Sequence, residues 1–337
     1  MQTSQNNRKY NAVITGVGMH FPEKILDNKY FENVVETSDA WIMSRTGIKE
    51  RRIMEQGATS QMATLAVQDL LKTRNISPEE IDLIICATVT PDMLFPASAC
   101  LIQDNIGAKN AWGFDLSAAC SGFLFALRTG ASFIESGVHK KVIVVGADTM
   151  TAFIDYTDRN TCVLFGDGAA AVLLEPTEDL NYGLIDTILH IDGSGRESLC
   201  IKGGGSLNPP THQTVDDKIH YIHQDGKAVY KVAVVSMADV SHEIMQRNNL
   251  RSEDIAYLVP HQANLRIIDA TAKRCGISSD KVTINIDKYG NTTAATIPSC
   301  LVEYYRNGKI KKGDKLILAA FGAGYTWGSA YLVWGID

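Results

Sequence analysis

No apolar run in this 337-residue sequence reaches the roughly 18 residues of a membrane-spanning helix, so no membrane span is expected. There is no basic excess either. Lys and Arg number 32 against 38 Asp and Glu, a formal net charge of −6, which argues against nucleic acid as the main partner. No C-x-x-C pair occurs. The seven cysteines, at positions 86, 100, 120, 162, 200, 275 and 300, are odd in number and widely spaced. That usage speaks against a disulfide framework or a zinc site and for a reducing, cytoplasmic setting. No segment is low in complexity. Residues 1–10 form a polar N-terminal extension without the apolar stretch of a secretory signal, so none is expected. Two weak motifs carry nothing: H-x-x-H at 220–223 has no further ligand nearby, and G-V-G at 16–18 is followed by Phe21 where a dinucleotide fingerprint needs glycine.

What is present is a chain large enough for a sizeable core, 45% hydrophobic, and longer than a single core usually grows. Two domains or one duplicated unit are expected. Apolar β-type runs at 13–17, 83–87, 111–115, 142–147, 169–174, 184–191, 257–260, 315–321 and 330–334 alternate with amphipathic stretches, the pattern of an α/β protein. Helices are expected at 59–74, with Thr59 as N-cap, and at 227–248, 264–273 and 294–306. Residues 202–217 read as a surface excursion. A faint repeat runs through this pattern. Residues 79–85 (E-E-I-D-L-I-I) resemble residues 253–259 (E-D-I-A-Y-L-V), and the apolar strand at Lys141 resembles the one at Lys315. Both pairs stand 174 residues apart, as two copies of one unit would.

Four segments carry chemistry. In D-L-S-A-A-C-S-G-F (115–123) a strand gives way to a helix, and Cys120 falls near the helix N-terminus. There the macrodipole and free N–H groups favour a thiolate, and small neighbours leave room for a substrate. The ordinary role, a buried structural thiol, suits Cys86 and also Cys162, Cys200, Cys275 and Cys300. P-H-Q-A-N-L-R (260–266) places His261 at the carboxyl end of a strand, where open α/β sheets hold ligands. In Y-G-N-T-T-A-A-T (289–296) a Gly-Asn turn enters a helix that Thr292 or Thr293 could cap. F-G-A-G-Y-T-W-G (321–328) offers small residues that let backbone N–H groups approach a ligand.

Taken together these motifs resemble the β-ketoacyl-acyl carrier protein synthase III family, the initiating condensing enzymes of fatty-acid synthesis, within the thiolase-like superfamily. The resemblance runs from about residue 11 to the C-terminus. It rests on S-D-A-W-I-M-S-R-T-G-I (38–48), A-A-C-S-G-F (118–123), D-R-N-T with F-G-D-G-A (158–169), P-H-Q-A-N-L-R (260–266), G-N-T-T-A-A (290–295) and F-G-A-G-Y-T-W-G-S (321–329), all in family order. It implies a five-layer α/β/α/β/α thiolase fold of two pseudo-repeated halves, residues 11–180 with the nucleophile and 181–337 with its partners.

By position, the resemblance implies a catalytic triad of Cys120, His261 and Asn291, with an oxyanion hole from the backbone N–H groups of Cys120 and Ala323. It assigns coenzyme A contacts to Thr37, Trp41, Arg45, Arg159 and Asn264, while Asn160 and Gln224 replace residues often Gly and Met. Phe95 matches a family phenylalanine that crosses a homodimer interface into the partner's acyl pocket. Lys231, Gln262, Ala263, Asn264, Leu265 and Arg266 match carrier-protein contacts, and Lys49, Arg51 and Arg52 could widen that basic patch. The implied reaction joins an acyl-CoA, acetyl-CoA in the first place, to malonyl-acyl carrier protein without metal or redox cofactor; the CoA thioester is a substrate. The alternative is a related Cys-His-Asn condensing enzyme of a polyketide or other specialised pathway. Chalcone-type synthases carry G-F-G-P-G where this chain has F-G-A-G-Y-T-W-G, and elongating synthases and thiolases lack the Asn. A papain-like hydrolase would need a different signature around the cysteine.

Overall fold

The protein is described by a computed structural model covering residues 9–337, so all but the last two residues of the expected extension at 1–10 lie outside the described residues. The chain begins with β1 (Asn11–His20), β2 (Lys24–Asp27), α1 (Asn28–Glu32), α2 (Asp39–Thr46), β3 (Glu50–Ile53) and α3 (Thr59–Arg74). Then come β4 (Leu83–Ala87), α4 (Ser98–Ile106), β5 (Trp112–Leu116), α5 (Gly122–Glu135), β6 (Val142–Asp148), α6 (Arg159–Cys162) and β7 (Gly168–Thr177). The second half opens with β8 (Gly183–Ile191), β9 (Leu199–Ile201), α7 (His212–Asp216), β10 (Ile222–Gln224), α8 (Gly226–Arg247) and β11 (Tyr257–Pro260). It closes with α9 (Leu265–Cys275), α10 (Ile286–Tyr289), α11 (Thr296–Arg306), β12 (Lys315–Gly322) and β13 (Thr326–Val333).

Two sheets dominate, in the orders β1-β7-β6-β4-β5 and β11-β12-β13-β8. Because successive strand residues face opposite sides, each sheet buries two apolar faces. Leu83, Ile85, Val142 and Val144 of the first sheet and Leu316, Leu318 and Ala320 of the second meet α5 and α11 in one core. Their alternates Ile84, Cys86, Ile143 and Val145 pack on α3 and α4, and Ile317, Ala319 and Phe321 pack on α8 and α9. The result is five layers, helices outside, sheets next and one helical pair at the centre, as the resemblance implies.

The 174-residue offset holds through the architecture. It relates β4 to β11, the end of β6 to the end of β12, and the 3-10 turn Ala119–Ser121 to the turn Thr293–Ala295. It also relates residues forced to positive φ: Asn75 (55°) to Asn249 (54°), and Ala119 (48°) to Thr293 (50°). Strand order repeats as well, β8, β13, β12 and β11 standing for β1, β7, β6 and β4. Among the described residues the second sheet has four strands; a single parallel bridge, Leu258 to Val282, takes the place of the β4–β5 ladder.

Several local expectations need correction. Thr59 is the first residue of α3 and not its cap; the cap position is Ala58, and the Thr59 hydroxyl turns inward to Thr90 O (2.6 Å) and Thr149 Oγ1 (2.8 Å). Neither Thr292 nor Thr293 caps a helix through its side chain. The last strand starts at Thr326, four residues before the apolar run, because its small residues pair with β12 along the whole length. Residues 202–217 are largely exposed, with Leu207 at 88% exposure, and hold the short α7.

Candidate active site

A cavity of about 810 Å³, within the usual range for small-molecule sites, opens between the halves. Cys120, His261 and Asn291 all line it, although 171 residues separate the first from the last. Each arrives on a different element.

Cys120 sits in the middle of the 3-10 turn Ala119–Ser121, which follows β5 and leads into α5. Ala119 before it has φ of 48°, a left-handed conformation that strains a side-chain-bearing residue by about 1–2 kcal/mol. Contacts to the other half hold the turn. Ser121 Oγ donates to Thr326 O (3.1 Å), and Thr326 Oγ1 donates to Ala118 O (2.9 Å). Gly322 closes against the turn so tightly that a Cβ there would lie 2.7 Å from Cys120 N. The thiol is 7% exposed. Burial, and secondarily the charge of Asp148, push it up to about 12, the reverse of the lowering expected from the helix end. Cys120 is therefore a neutral thiol at physiological pH.

His261 follows β11 directly, its N–H donating to Ala319 O (2.7 Å) and extending the ladder. The ring is 1% exposed, and Nδ1 lies 2.7 Å from Thr296 Oγ1 at the start of α11. Burial lowers its pKa to about 3, so the imidazole is neutral at any physiological pH. Asn291 bridges the halves, its N–H donating to Leu164 O (2.9 Å) and its carbonyl accepting from Gly166 (3.1 Å). Gly290 makes this approach possible: its φ is 63°, and a Cβ would lie 2.9 Å from Leu164 O. Asn291 Oδ1 accepts from Thr293 N–H (2.9 Å), which leaves the amide NH2 as the group Asn291 can offer.

Trp41 and Arg45 line the cavity; Arg159 packs with its guanidinium 4.2 Å from the centre of the Trp41 ring, and Arg45 lies 5.7 Å from it. Asn160, Gln224, Ala263, Asn264, Arg266 and Ala323 line it too. Asn264 Oδ1 caps α9 by accepting from Arg266 N–H (2.9 Å). Thr37 is not among the lining residues, and its buried hydroxyl has no partner among the described residues. Phe95 is 83% exposed beside Leu94 at 81%, and does not reach this chain's cavity.

The expected carrier surface divides. Lys231 and Arg266 are exposed, Arg266 lying 4.7 Å over the Tyr230 ring, while Leu265 packs on Gly47. Gln262 is fully buried: its Nε2 donates to Pro260 O (2.8 Å) and Thr283 O (3.1 Å), and its Oε1 accepts from Asn285 and Ile286. It is an internal brace and has no face for a partner. Arg51 is also buried, donating to Asn28, Leu26 O and Val163 O over the Phe31 ring, and cannot widen a surface patch. Arg52 pairs with Glu50. Cys200, expected as a structural thiol, lines the cavity, and so does Lys227. No sequence motif marked either. Thr296, beside His261, lies in the motif 289–296, whereas no motif marked Asp148, which holds Thr293 next to Asn291; the 174-residue offset could have pointed to Asp148 through its counterpart Gly322. Among the described residues, no three His, Cys, Asp or Glu side chains group closely enough to hold a metal ion.

The chain matches the family model of 3-oxoacyl-[acyl-carrier-protein (ACP)] synthase III over residues 114–193 and that family's C-terminal model over 245–334. It is 58% identical to the β-ketoacyl-[acyl-carrier-protein] synthase III of Chlorobaculum tepidum over 326 residues, 96% of this chain and 99% of that protein. The crystal structure of 3-oxoacyl-[acyl-carrier-protein] synthase III from Aquifex aeolicus superposes with a TM-score of 0.89 at 44% identity, covering 96% of this chain and all of that one. The priming β-ketosynthase of the R1128 polyketide pathway superposes with a TM-score of 0.89 at 34% identity over 99% of both chains.

Proposed function

The chain belongs to the 3-oxoacyl-[acyl-carrier-protein] synthase III family, and on that premise we propose that it primes type II fatty-acid synthesis, joining an acetyl group from acetyl-CoA to malonyl-acyl carrier protein. The observation that carries this reading is the meeting of Cys120, His261 and Asn291, from the two halves, around one cavity.

In the first half-reaction the Cys120 sulfur attacks the thioester carbonyl of acyl-CoA. The backbone N–H groups of Cys120 and Ala323 stabilise the tetrahedral oxyanion, and coenzyme A leaves with the proton that the thiol gave up. A neutral thiol suits this order, because the proton has a destination only once CoA is present. Trp41 and Arg45 in the cavity wall, with Arg159 packed on the Trp41 ring, offer an indole and two guanidiniums to the nucleotide end of CoA. In the second half-reaction the malonyl thioester loses CO2, and negative charge gathers on its carbonyl oxygen as an enolate. His261 and Asn291 support that oxygen. The enolate carbon then attacks the acyl group, expelling the Cys120 sulfur, which takes a proton from solvent. The product is a β-ketoacyl thioester on the carrier. Supply of both carbon units by thioesters leaves no step that needs a metal or redox cofactor.

Leu94 and Phe95, apolar and almost fully exposed, fit a homodimer in which each Phe95 enters the partner's acyl pocket. A single-chain mass in analytical ultracentrifugation at micromolar concentration would remove that part of the reading. Likeness to the R1128 priming ketosynthase supports a second reading, priming of a polyketide pathway from a longer acyl-CoA. Intact-protein mass spectrometry with an acyl-CoA panel tests both. An acetyl adduct, absent from Cys120→Ala, is expected; an adduct only with longer chains favours the second reading, and no adduct with any donor overturns both.

A further inference from the structure

The steps above leave unused a carboxylate buried behind Asn291. Asp148, at the end of β6, is 0% exposed and, among the described residues, has no cationic partner. Donors satisfy it instead. Its Oδ1 accepts from Thr88 Oγ1 (3.1 Å), Val89 N–H (2.8 Å), Thr90 N–H (3.2 Å) and Thr90 Oγ1 (2.9 Å), the loop that follows β4. Its Oδ2 turns to the other half and accepts from the Thr293 hydroxyl and from Ala294 N–H (3.4 Å).

The 174-residue offset gives this arrangement a meaning. Ala294 is the counterpart of Cys120, Thr293 of Ala119, and Asp148 of Gly322. In both halves the last residue of a strand faces the central N–H of the strained turn supplied by the other half. At the turn of Cys120 that residue is Gly322, which has no side chain to occupy the Cys120 N–H. At the second turn the residue is Asp148, whose carboxylate oxygen stands on the Ala294 N–H. The molecule thus holds two related anion sites, one without a side chain and one filled from within.

We propose that Asp148 is a positioning residue: an internal anion that fills the second turn's counterpart of the oxyanion hole and, through Thr293, holds Asn291 in place for the malonyl half-reaction. The last link is the Thr293 N–H, which donates to Asn291 Oδ1 (2.9 Å) and so orients the amide NH2. Thr293 keeps its φ of 50° because its hydroxyl is tied to Asp148 on one side and its N–H to Asn291 on the other. Asp148 makes no hydrogen bond to the turn of Cys120 and reaches the thiol only through its charge, a smaller influence than burial; that turn is tied to β13 through Ser121 and Thr326. The two half-reactions therefore depend on Asp148 unequally.

This inference rests on the two-step reading above, and the experiment separates them. Acylation of Cys120 by acetyl-CoA and decarboxylation of the malonyl carrier are each timed in the wild-type protein first; failure there removes the reading itself. Asp148→Gly copies the site of Gly322 and leaves a space large enough for formate. The expected result is acylation within about 3-fold of wild type and decarboxylation slower by about 30-fold or more in kcat, with KM changed little. Added formate should recover at least about 5-fold of the lost decarboxylation rate, whereas formamide should recover none. Asp148→Asn, which keeps the volume but leaves donors unpaired on one side, should show the same split without rescue, and it covers a glycine variant that fails to fold. Equal loss of both half-reactions, or full decarboxylation in either variant, overturns the proposal.

Discussion

Cys120 and His261 are displaced in opposite directions by one cause, the removal of water. Burial takes the thiol up to about 12 and the imidazole down to about 3, so the resting pair is uncharged. This costs stability in acid. In the folded protein His261 takes a proton only near pH 3, but in the unfolded chain it does so near 6.5. Between those values the unfolded chain binds more protons, and the folded state loses ground as pH falls. Asp167 works the other way: burial raises it to about 6, so its folded form holds a proton longer and loses stability as pH rises toward 6. A comparison of wild type with His261→Gln cancels that contribution. The stability difference from urea denaturation should shift in favour of the variant as pH drops from 6.5 to 4, and stay constant above pH 7.5. A difference independent of pH would mean that His261 is not buried neutral. The three side chains proposed as catalytic were legible as motifs through the family resemblance. The upward shift of the thiol was not, because a helix end argues for lowering and only the packing around Cys120 shows that desolvation wins.

Two strained turns, and the strand ends that close on them, carry the site at the level of elements. Gly322 closes on the turn of Cys120, with 2.7 Å from its absent Cβ to Cys120 N, as Gly146 of β6 closes on the second turn at 2.3 Å from Ala294 O. Backbone cannot yield as a flexible side chain can. Gly322→Ala should displace the turn and the N–H that faces the oxyanion, slowing Cys120 acylation by about 100-fold or more while circular dichroism stays that of the folded protein. Acylation within about 3-fold of wild type would show that the turn is not held against β12. The long strands were readable from their apolar runs, since a strand buried on both faces needs little but β-branched and aliphatic residues. The short β2, β3, β9 and β10, and the two 3-10 turns, were not. Three or four residues carry no period, and a positive φ at Ala119 and Thr293 comes from tertiary ties that no local signal announces.

At the scale of the whole molecule, net charge and local charge diverge. The chain carries −6 overall, yet Arg45, Lys227 and Arg266 line the cavity, with Lys231 exposed one helical turn beyond Lys227. Such a patch can draw an acidic carrier protein over a few ångströms and much less at high salt. Arg266→Glu should raise KM for malonyl-acyl carrier protein by about 10-fold, an effect that shrinks as salt rises, while acylation from acetyl-CoA stays within about 2-fold. Equal effects on both half-reactions would remove the docking role. Arg51, counted with this patch from its position beside Lys49 and Arg52, is instead an internal tie, a distinction that burial alone makes.

The sequence by itself determined the α/β class and the duplicated plan and, through its family resemblance, named the groups proposed to react. These depend on side-chain chemistry and on periodicity, both written residue by residue. Only the tertiary structure decided which residues serve those groups. The two halves exchange their contacts, so that β12 closes on the turn of Cys120 and β6 on the turn of Asn291. Asp148 and Gly322 acquire opposite tasks at equivalent places for this reason: one sets no side chain on an N–H, the other fills its counterpart, and the difference exists only where two distant stretches of chain come into contact.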